Sequence, residues 1–244
     1  MAKSSWNLLR ILNNGAECME NAFIKGVIFD MDNTLFDFVQ AKLEACARIV
    51  EYLGAGEQLE LYSYFRRPGH GYEDQSNIAD YMRDIGVYSD AGYFHCCRIY
   101  EKTKLETIRP YPNVYSTLDS LRKMELELAV VTDAHSKNAK ARLDVTGLLD
   151  KFDLLVTYDM TGRKKPAPEV FFYVLKGLDL MPAETLYVGD SIRRDIEPAS
   201  RIGMLTAHAA YGDRNSHEQK TMQPDHVLGN IIEVLDIVGS AFSC

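Results

Sequence analysis

Apolar runs that end in polar residues recur along this chain, and they constrain its fold more than any other feature. Val-Ile-Phe leads into Asp30, Leu-Ala-Val-Val leads into Thr132, and Leu-Tyr-Val leads into Gly-Asp-Ser at Asp190. A fourth segment presents Lys165 directly before Pro-Ala-Pro. Ligands of open α/β sheets bind at the carboxyl ends of the strands. The four segments together therefore predict one polar site at one edge of a sheet.

Strand-like and helix-length segments alternate along the chain, and this alternation indicates the fold class. The strand-like runs are Lys25–Phe29, Leu126–Thr132, Asp153–Thr157, Thr185–Val188, Met204–His208 and Asp225–Leu228. Apolar residues at helical spacing mark Val114–Met124, Ala139–Leu149 and Pro168–Leu178. Strands that alternate with helices form a mostly parallel sheet. We therefore expect an α/β fold with a Rossmann-like parallel sheet and helices on both faces.

Residues 37–109, called the helical insert below, interrupt this alternation. They contain no clear strand, and their helix-like segments are Ala41–Leu53, Glu57–Phe65, Glu73–Ile85 and Ser89–Leu105. We predict that the helical insert is an all-helical domain over the active end of the sheet. The core domain then consists of residues 25–36 and 110–244. Residues 1–24 form an extension whose short, broken apolar run does not fit a signal peptide.

The composition narrows the class of protein and its partners. The chain has 244 residues, of which 46% are hydrophobic and 25% charged, as expected for a packed globular core. The net charge of −8 argues against nucleic acid, and no apolar run reaches the roughly 18 residues that span a bilayer. Five cysteines without metal-site spacing fit reduced thiols in the cytoplasm. We expect a small-molecule partner, with monomer and homodimer both open.

Asp30 and Asp32 form the most informative pair of acids. Two residues apart on an extended chain, their carboxylates point to the same side. Acids this close resist ionising together unless a cation lies between them, and Mg2+ prefers such oxygen ligands. Asp30 can then attack phosphorus as a nucleophile, and Asp32 can exchange a proton with the leaving alcohol and with water. The alternative is a pair of turn-capping side chains.

Thr132, Asp133 and Lys165 are candidate phosphate ligands. The Thr132 hydroxyl and the backbone N–H of Asp133 can hold phosphate oxygens at the end of their strand. The prolines after Lys165 stiffen its loop, and a fixed cation stabilises charge on a transferring phosphoryl group. The alternatives are an ordinary strand residue for Thr132 and a solvated surface charge for Lys165.

Asp190 and Asp195 are candidate metal ligands behind the fourth apolar run. Gly189 allows the chain to pass close to the site. Ser191 can cap the helix that carries Asp195. Asp195 follows four residues later, which brings its side chain back toward the same end of the sheet. A salt bridge between Asp195 and Lys165 is the alternative for this second acid.

The four segments resemble the four motifs of the haloacid dehalogenase superfamily. The matching residues are Asp-Met-Asp-Asn-Thr-Leu from Asp30, Thr132 at a strand end, Lys165 before Pro-Ala-Pro, and Gly-Asp-Ser-x-x-x-Asp ending at Asp195. The helical insert resembles the all-helical cap of the phosphatase-rich branch. This resemblance implies a Mg2+-dependent phosphatase acting on small phosphomonoesters such as phosphoglycolate, glyceraldehyde 3-phosphate, sugar phosphates or nucleotides.

The same resemblance assigns a role to each motif residue. It implies that Asp30 is the nucleophile and Asp32 the general acid/base. Thr132 and Lys165 are implied to bind phosphate. Asp190 is implied to be a metal ligand, with Asp195 in support. The backbone carbonyl of Asp32 is implied as a further metal ligand. Hydrolysis would then proceed through an aspartyl-phosphate.

Other activities of this superfamily differ from the phosphatases at single sequence positions. A dehalogenase has no acid at the position of Asp32. A mutase usually has glycine where this chain has Asn33, and a phosphonatase needs a lysine from the cap, for which Lys42 is the only lysine early in the insert. A phosphotransferase or phosphomutase, or a binding protein without turnover, remain the alternatives. Arg66, Arg67 and His70, in a stretch broken by glycine and proline, are candidates for gripping a second anionic group of the substrate.

Overall fold

Six parallel strands form a single sheet in the computed structural model, which describes residues 24–214 and 222–241. They are β1 (Gly26–Phe29), β2 (Glu127–Val131), β3 (Leu154–Val156), β4 (Thr185–Gly189), β5 (Leu205–Ala209) and β6 (His226–Leu228). Their order across the sheet is β3-β2-β1-β4-β5-β6. This sheet confirms the predicted α/β fold with a parallel sheet. The prediction was possible because strands buried on both faces appear in the sequence as continuous apolar runs.

Four helices fill most of the helical insert. They are α1 (Phe38–Leu53), α2 (Gln58–Tyr64), α3 (Ser76–Asp84) and α4 (Asp90–Thr107). They enclose a hydrophobic cluster of their own, which includes Ile49, Tyr81 and Tyr100. The division of the chain into an insert domain, a core domain and an extension remains a prediction. The extension, apart from Ile24, lies outside the described residues.

The remaining helices cover the two faces of the sheet. They are α5 (Val114–Lys123), α6 (Ser136–Val145), α7 (Tyr158–Thr161), α8 (Pro168–Leu178), α9 (Glu197–Arg201) and α10 (Val234–Ala241). Side chains of β1 alternate between the faces, with Val27 and Phe29 in one cluster and Ile28 in another. In the described residues, no helix combines the length and apolar character that a bilayer crossing requires.

Helix α6 begins and ends earlier than its apolar spacing predicts. It covers Ser136–Val145, whereas the sequence pattern indicates Ala139–Leu149. Gly147 explains the early end, since its φ of 62° places it in the left-handed region that terminates helices. The last predicted residues instead begin a short 3-10 turn, Leu149–Lys151.

The central position of β1 brings the polar segments together. In the sheet, Phe29 lies between Val130 of β2 and Val188 of β4. The three strands are parallel, so the residues that follow them emerge at the same edge. The chain then enters the helical insert and returns beside its exit point, where Phe36 forms a bridge with Pro110.

Candidate active site

Lys165 lies at the centre of the polar cluster at this edge. Its Nζ donates to Asp30 Oδ1 at 2.5 Å and to Asp195 Oδ1 at 2.6 Å, and only 1% of the side chain is exposed. Burial disfavours the ammonium charge, but Asp195 and Asp30 together raise the pKa of Lys165 well above its ordinary value. The salt bridge with Asp195 that the sequence left open is therefore present, and Lys165 is not a solvated surface charge.

Three buried acids converge beside this lysine. Asp30, Asp190 and Asp195 each offer a carboxylate oxygen, and these atoms lie within 4.8 Å of one another. Burial raises the pKa of Asp30 to about 6, although Lys165 opposes this shift. Burial raises the pKa of Asp190 well above its usual range, and the charges of Asp30 and Asp195 add to the effect.

Asp190 shows that a cation fits this group of acids. Neither of its carboxylate oxygens has a hydrogen-bond partner within the described part of the chain, and the residue is 1% exposed. Its nearest ion-pair contact is Arg194 Nη2 at 3.8 Å. Unpartnered buried charges are costly, and hard divalent cations take carboxylate oxygens as ligands. The donor set therefore fits a Mg2+ ion.

The peptide backbone allows Asp195 to approach this closely because Gly189 has no side chain. A Cβ atom at Gly189 would lie 2.5 Å from the Cβ of Asp195. Ser191 Oγ accepts from the backbone N–H of Arg194 at 3.2 Å, so the predicted capping role is confirmed. The turn that follows, Ile192–Ile196, is a π-helical turn.

Among the described residues, the carboxylate of Asp32 lies outside the group of cation-binding carboxylates that includes Asp30. Its carboxylate instead accepts from Arg142 Nη1 at 2.6 Å and 2.5 Å. Burial, the largest influence, raises the pKa of Asp32, although Arg142 opposes the shift. The second nitrogen of this guanidinium, Nη2, donates to Glu73 in the helical insert at 2.6 Å and 2.5 Å.

The two candidate phosphate ligands after β2 lie at the mouth of the cluster. Thr132 Oγ1 accepts from the backbone N–H of Ala134 at 3.2 Å. Asp133 Oδ1 accepts from the backbone N–H of Lys165 at 2.8 Å, which fixes the loop that carries this lysine. Both residues line a cavity of about 560 Å³, called the reaction cavity here, together with Asp30 and Asp32.

A second cavity of about 620 Å³, called the basic cavity here, adjoins the site. Its lining includes five arginines and one histidine, namely Arg66, Arg67, His70, Arg193, Arg194 and Arg214. Asp190 is the one acid among its described lining residues. Asn33, Tyr72 and Arg194 line both cavities, so the basic cavity begins directly beside the acids.

The three candidate substrate residues of the insert lie in this basic cavity. Arg66 is exposed. Arg67 donates to Asp80 Oδ2 at 2.9 Å, and the His70 Nε2 lies 3.0 Å from the same oxygen. Lys42, in contrast, is buried and donates to the carbonyl of Tyr72, and it lines neither cavity in the described structure.

Sequence reasoning missed Arg142, Glu73 and Arg194. Arg142 carries a weak signal, since a charged residue occupies the apolar face of α6 between the buried Ala139 and Leu143. Arg194 lies within the fourth motif, and its position directly before Asp195 is the signal that could have identified it. Glu73 carries no local signal, because its partner is 69 residues away in the sequence.

Known proteins resemble this chain over most of its length. Residues 27–209 match the family of haloacid dehalogenase-like hydrolases. The chain is 31% identical over 225 residues to a glyceraldehyde 3-phosphate phosphatase of Methanocaldococcus jannaschii, covering 88% of this chain and 97% of that protein. It is 32% identical over 196 residues to a phosphoglycolate phosphatase of Aquifex aeolicus, covering 76% of this chain and 84% of that protein.

Solved structures share the fold. The magnesium-bound HAD-hydrolase YfnB from Bacillus subtilis superposes with a TM-score of 0.73 at 20% identity, covering 88% of this chain and 99% of that one. A HAD phosphatase from Thermococcus onnurineus superposes with a TM-score of 0.63 at 25% identity, covering 88% and 98% of the two chains.

Proposed function

Because the chain belongs to the haloacid dehalogenase-like hydrolase family, we propose that it is a phosphatase that hydrolyses a small phosphomonoester through a phosphorylated Asp30. The relatives named as phosphatases support this activity. The observation that carries the proposal is the position of Asp30. Its carboxylate lines the reaction cavity and lies 2.5 Å from Lys165 Nζ. It belongs to the same acidic group as Asp190, whose carboxylate has no hydrogen bond in the described structure.

The reaction then has two displacement steps. A carboxylate oxygen of Asp30 attacks phosphorus, and the bond between phosphorus and the ester oxygen breaks. The departing alcohol takes a proton from Asp32. Water then attacks the phosphorus of the aspartyl-phosphate and gives a proton to Asp32, which restores the Asp30 carboxylate and releases inorganic phosphate.

The other site residues bind the phosphoryl group and a cation. Lys165, the Thr132 hydroxyl and the Asp133 backbone hold the phosphoryl oxygens, and charge fixed there stabilises the transition state. Asp30, Asp190 and Asp195 would hold Mg2+, with the backbone carbonyl of Asp32 as a further ligand. When bound, Mg2+ offsets the negative charge of the acids and the phosphoryl group.

Specificity follows from the basic cavity. Arg66 and Arg67 with His70 are proposed to receive a second anionic group of the substrate, such as a carboxylate, since guanidinium groups bind carboxylates with two parallel hydrogen bonds. Arg66→Ala is expected to raise KM for 2-phosphoglycolate about tenfold with kcat little changed. Arg98→Ala, an exposed arginine on α4 that lines neither cavity in the described structure, is the matched control.

Release of inorganic phosphate tests the proposed function. The purified protein is assayed against phosphoglycolate, glyceraldehyde 3-phosphate, sugar phosphates and nucleotides, in Mg2+ and in EDTA. Release that requires Mg2+ and disappears in Asp30→Asn is the expected result. Asp119→Asn, which removes an exposed partner of Lys151, is the control. Full activity in Asp30→Asn would contradict the role of this residue, and transfer to an added sugar that exceeds phosphate release would indicate a phosphotransferase.

The protein is further proposed to work in the cytoplasm, as a monomer or homodimer, without nucleic acid. Free buried thiols at Cys46, Cys96 and Cys97 support a reducing compartment. The net charge of −8 disfavours contact with a polyanion. Sedimentation of the purified protein distinguishes the two oligomeric states.

A further inference from the structure

We infer that Arg142 is a positioning residue, which holds the carboxylate of Asp32 at the reaction cavity and ties it to Glu73 of the helical insert. The inference rests on the proposed function, because it concerns the residue that exchanges protons with the leaving alcohol. It adds a requirement that the four motifs do not contain. Asp32 is placed by α6 and by the insert together, in addition to its own strand end.

One guanidinium contacts two carboxylates. Nη1 of Arg142 donates to both oxygens of Asp32, and Nη2 donates to both oxygens of Glu73, all between 2.5 Å and 2.6 Å. Such charge-assisted bonds are short and strong compared with neutral ones. The side chain of Asp32 therefore has little freedom to rotate as long as both bonds hold.

Arg142 contacts Asp32 from outside the set of residues that line the reaction cavity. Asp32 and Glu73 are among the described residues that line the reaction cavity, whereas Arg142 is not. Arg142 lines an adjoining cavity of about 580 Å³ between α6 and the helical insert, which shares Glu73 and Asn138 with the reaction cavity. Because Asp32 lines the reaction cavity and Arg142 does not, we assign Arg142 as a positioning residue that acts through Asp32.

The guanidinium is itself held rigidly. Arg142 is 3% exposed, and its Cζ lies 4.0 Å from the centre of the Phe38 ring. Its neighbours on α6, Ala139 and Leu143, are buried in the core. A lysine at this position keeps the charge but lacks the planar fork that reaches two carboxylates at once.

Glu73 extends the link into the insert. It lies between α2 and α3, and it also contacts Lys104 Nζ of α4 at 4.0 Å and Asn138 Nδ2 of α6 at 3.3 Å. A displacement of the insert from the core therefore removes one of the two carboxylates that fix the guanidinium. Proton transfer by Asp32 depends on the insert for this reason.

The dependence of the reaction rate on the leaving group distinguishes a positioning role of Arg142 from a purely structural one. An alkyl phosphate needs a proton on its departing oxygen, whereas p-nitrophenol leaves readily as its anion. Single-turnover release of the alcohol reports only the first displacement step. In Arg142→Lys, we expect this rate to fall about 10- to 100-fold for the alkyl phosphate that the wild-type enzyme cleaves fastest, because general acid catalysis contributes about 10²–10⁴-fold. For p-nitrophenyl phosphate we expect a change of less than about threefold, since little general acid catalysis is needed.

Matched variants guard against a trivial loss of folding. Arg122→Lys on α5 removes a comparable fork from an exposed partner, Asp153, and is expected to leave both rates unchanged. Glu73→Gln is expected to lower the alkyl rate selectively, whereas Glu101→Gln, which also contacts Lys104 but not Arg142, is not. Thermal unfolding confirms that each variant is folded.

Two results would overturn the inference. One is an equal fall of both rates in Arg142→Lys and in Glu73→Gln, which indicates structural damage alone. The other is unchanged rates in both variants. The variant Asp32→Asn distinguishes these two results from a failure of the proton-transfer role that the proposed function gives to Asp32. If Asp32→Asn itself shows no leaving-group dependence, the proton-transfer role of Asp32 is wrong. If it shows the dependence and Arg142→Lys does not, only the positioning role is wrong.

Discussion

Asp190→Asn is expected to stabilise the metal-free protein and to remove its response to Mg2+. Asp190 is buried, its two oxygens have no hydrogen-bond partner in the described structure, and burial raises its pKa well above the usual range. At neutral pH, folding without metal must therefore protonate this carboxyl or bury its charge. Asparagine has nearly the same shape and no charge, so the variant avoids the cost of protonating this carboxyl or burying its charge, and keeps only the smaller cost of burying a neutral amide.

The magnitude follows from the cost of an unsatisfied buried group. Such a group destabilises a protein by about 1–3 kcal/mol, and by more when it is charged. For a chain of this size, 1 kcal/mol shifts Tm by about 2–4 °C. In EDTA, Asp190→Asn is therefore expected to unfold about 2–12 °C above the wild type. Mg2+ at 100 times its Kd stabilises the wild type by about 2.7 kcal/mol, which corresponds to about 5–11 °C.

Thermal unfolding followed by circular dichroism measures both effects. Wild type and Asp190→Asn are scanned in EDTA and in rising Mg2+, and phosphate release is assayed in parallel. The control is Asp119→Asn, since Asp119 is half exposed and paired with Lys151. A surface change of this kind is expected to alter stability by less than about 0.5 kcal/mol and to keep the full Mg2+ response.

Either of two outcomes would contradict this role of Asp190. A lower Tm for Asp190→Asn than for the wild type in EDTA would mean that the carboxylate is stabilised in the metal-free protein. An equal rise of Tm in Mg2+ for both proteins would mean that the cation binds elsewhere.

Three further predictions concern the same edge of the sheet. Burial raises the pKa of Asp30 from 3.8 to about 6, so the folded state binds a proton that the unfolded state releases. In EDTA, the stability of the wild type relative to Asp30→Asn is therefore expected to rise by about 2 kcal/mol as pH falls from 6 to 4, measured by urea unfolding. A parallel pH dependence of both proteins would contradict this. Lys165→Met leaves the buried carboxylates of Asp30 and Asp195 without their cation. It is expected to reduce the free energy of unfolding in EDTA by about 3–5 kcal/mol. An unchanged urea midpoint would show that these ion pairs contribute nothing to stability. Gly212→Ala places a Cβ 1.6 Å from the backbone oxygen of Asn33, so phosphate release and Tm are both expected to fall. The control Gly239→Ala, whose Cβ meets no described atom within 4 Å outside its own helix and its chain neighbours, should preserve both. Normal activity in Gly212→Ala would show that the contact with Asn33 is easily relieved.

The strands and the motif residues were predictable because their signals are local. A parallel strand buried on both faces needs a continuous apolar run, and β1 with its Val-Ile-Phe run has one. The residues at the strand ends then follow from the general position of ligand sites in α/β sheets. The pairing of Lys165 with Asp30 could be suspected but not fixed from the sequence, since 135 residues separate them.

The environment of Asp32 shows where this reasoning fails. Spacing along the chain suggests that Asp30 and Asp32 share a cation, but the structure gives each a different partner. Arg142 is 110 residues from Asp32, and only the packing of α6 beneath the helical insert brings them together. A buried arginine on an apolar helix face is a signal that a group requires it, but the sequence does not say which group.

Three features could be predicted from the sequence alone: the fold class, the edge of the sheet at which the polar residues gather, and the acids and the lysine found there. These depend on apolar periodicity and on residues adjacent to strand ends, and both are local properties of a chain. Four features required the folded structure: the strand order, the absence of a hydrogen bond to the Asp190 carboxylate within the described residues, the basic cavity, and the link from Asp32 through Arg142 to Glu73. Each of these depends on distances between residues far apart in sequence, which are set when the insert and the helices pack against the sheet.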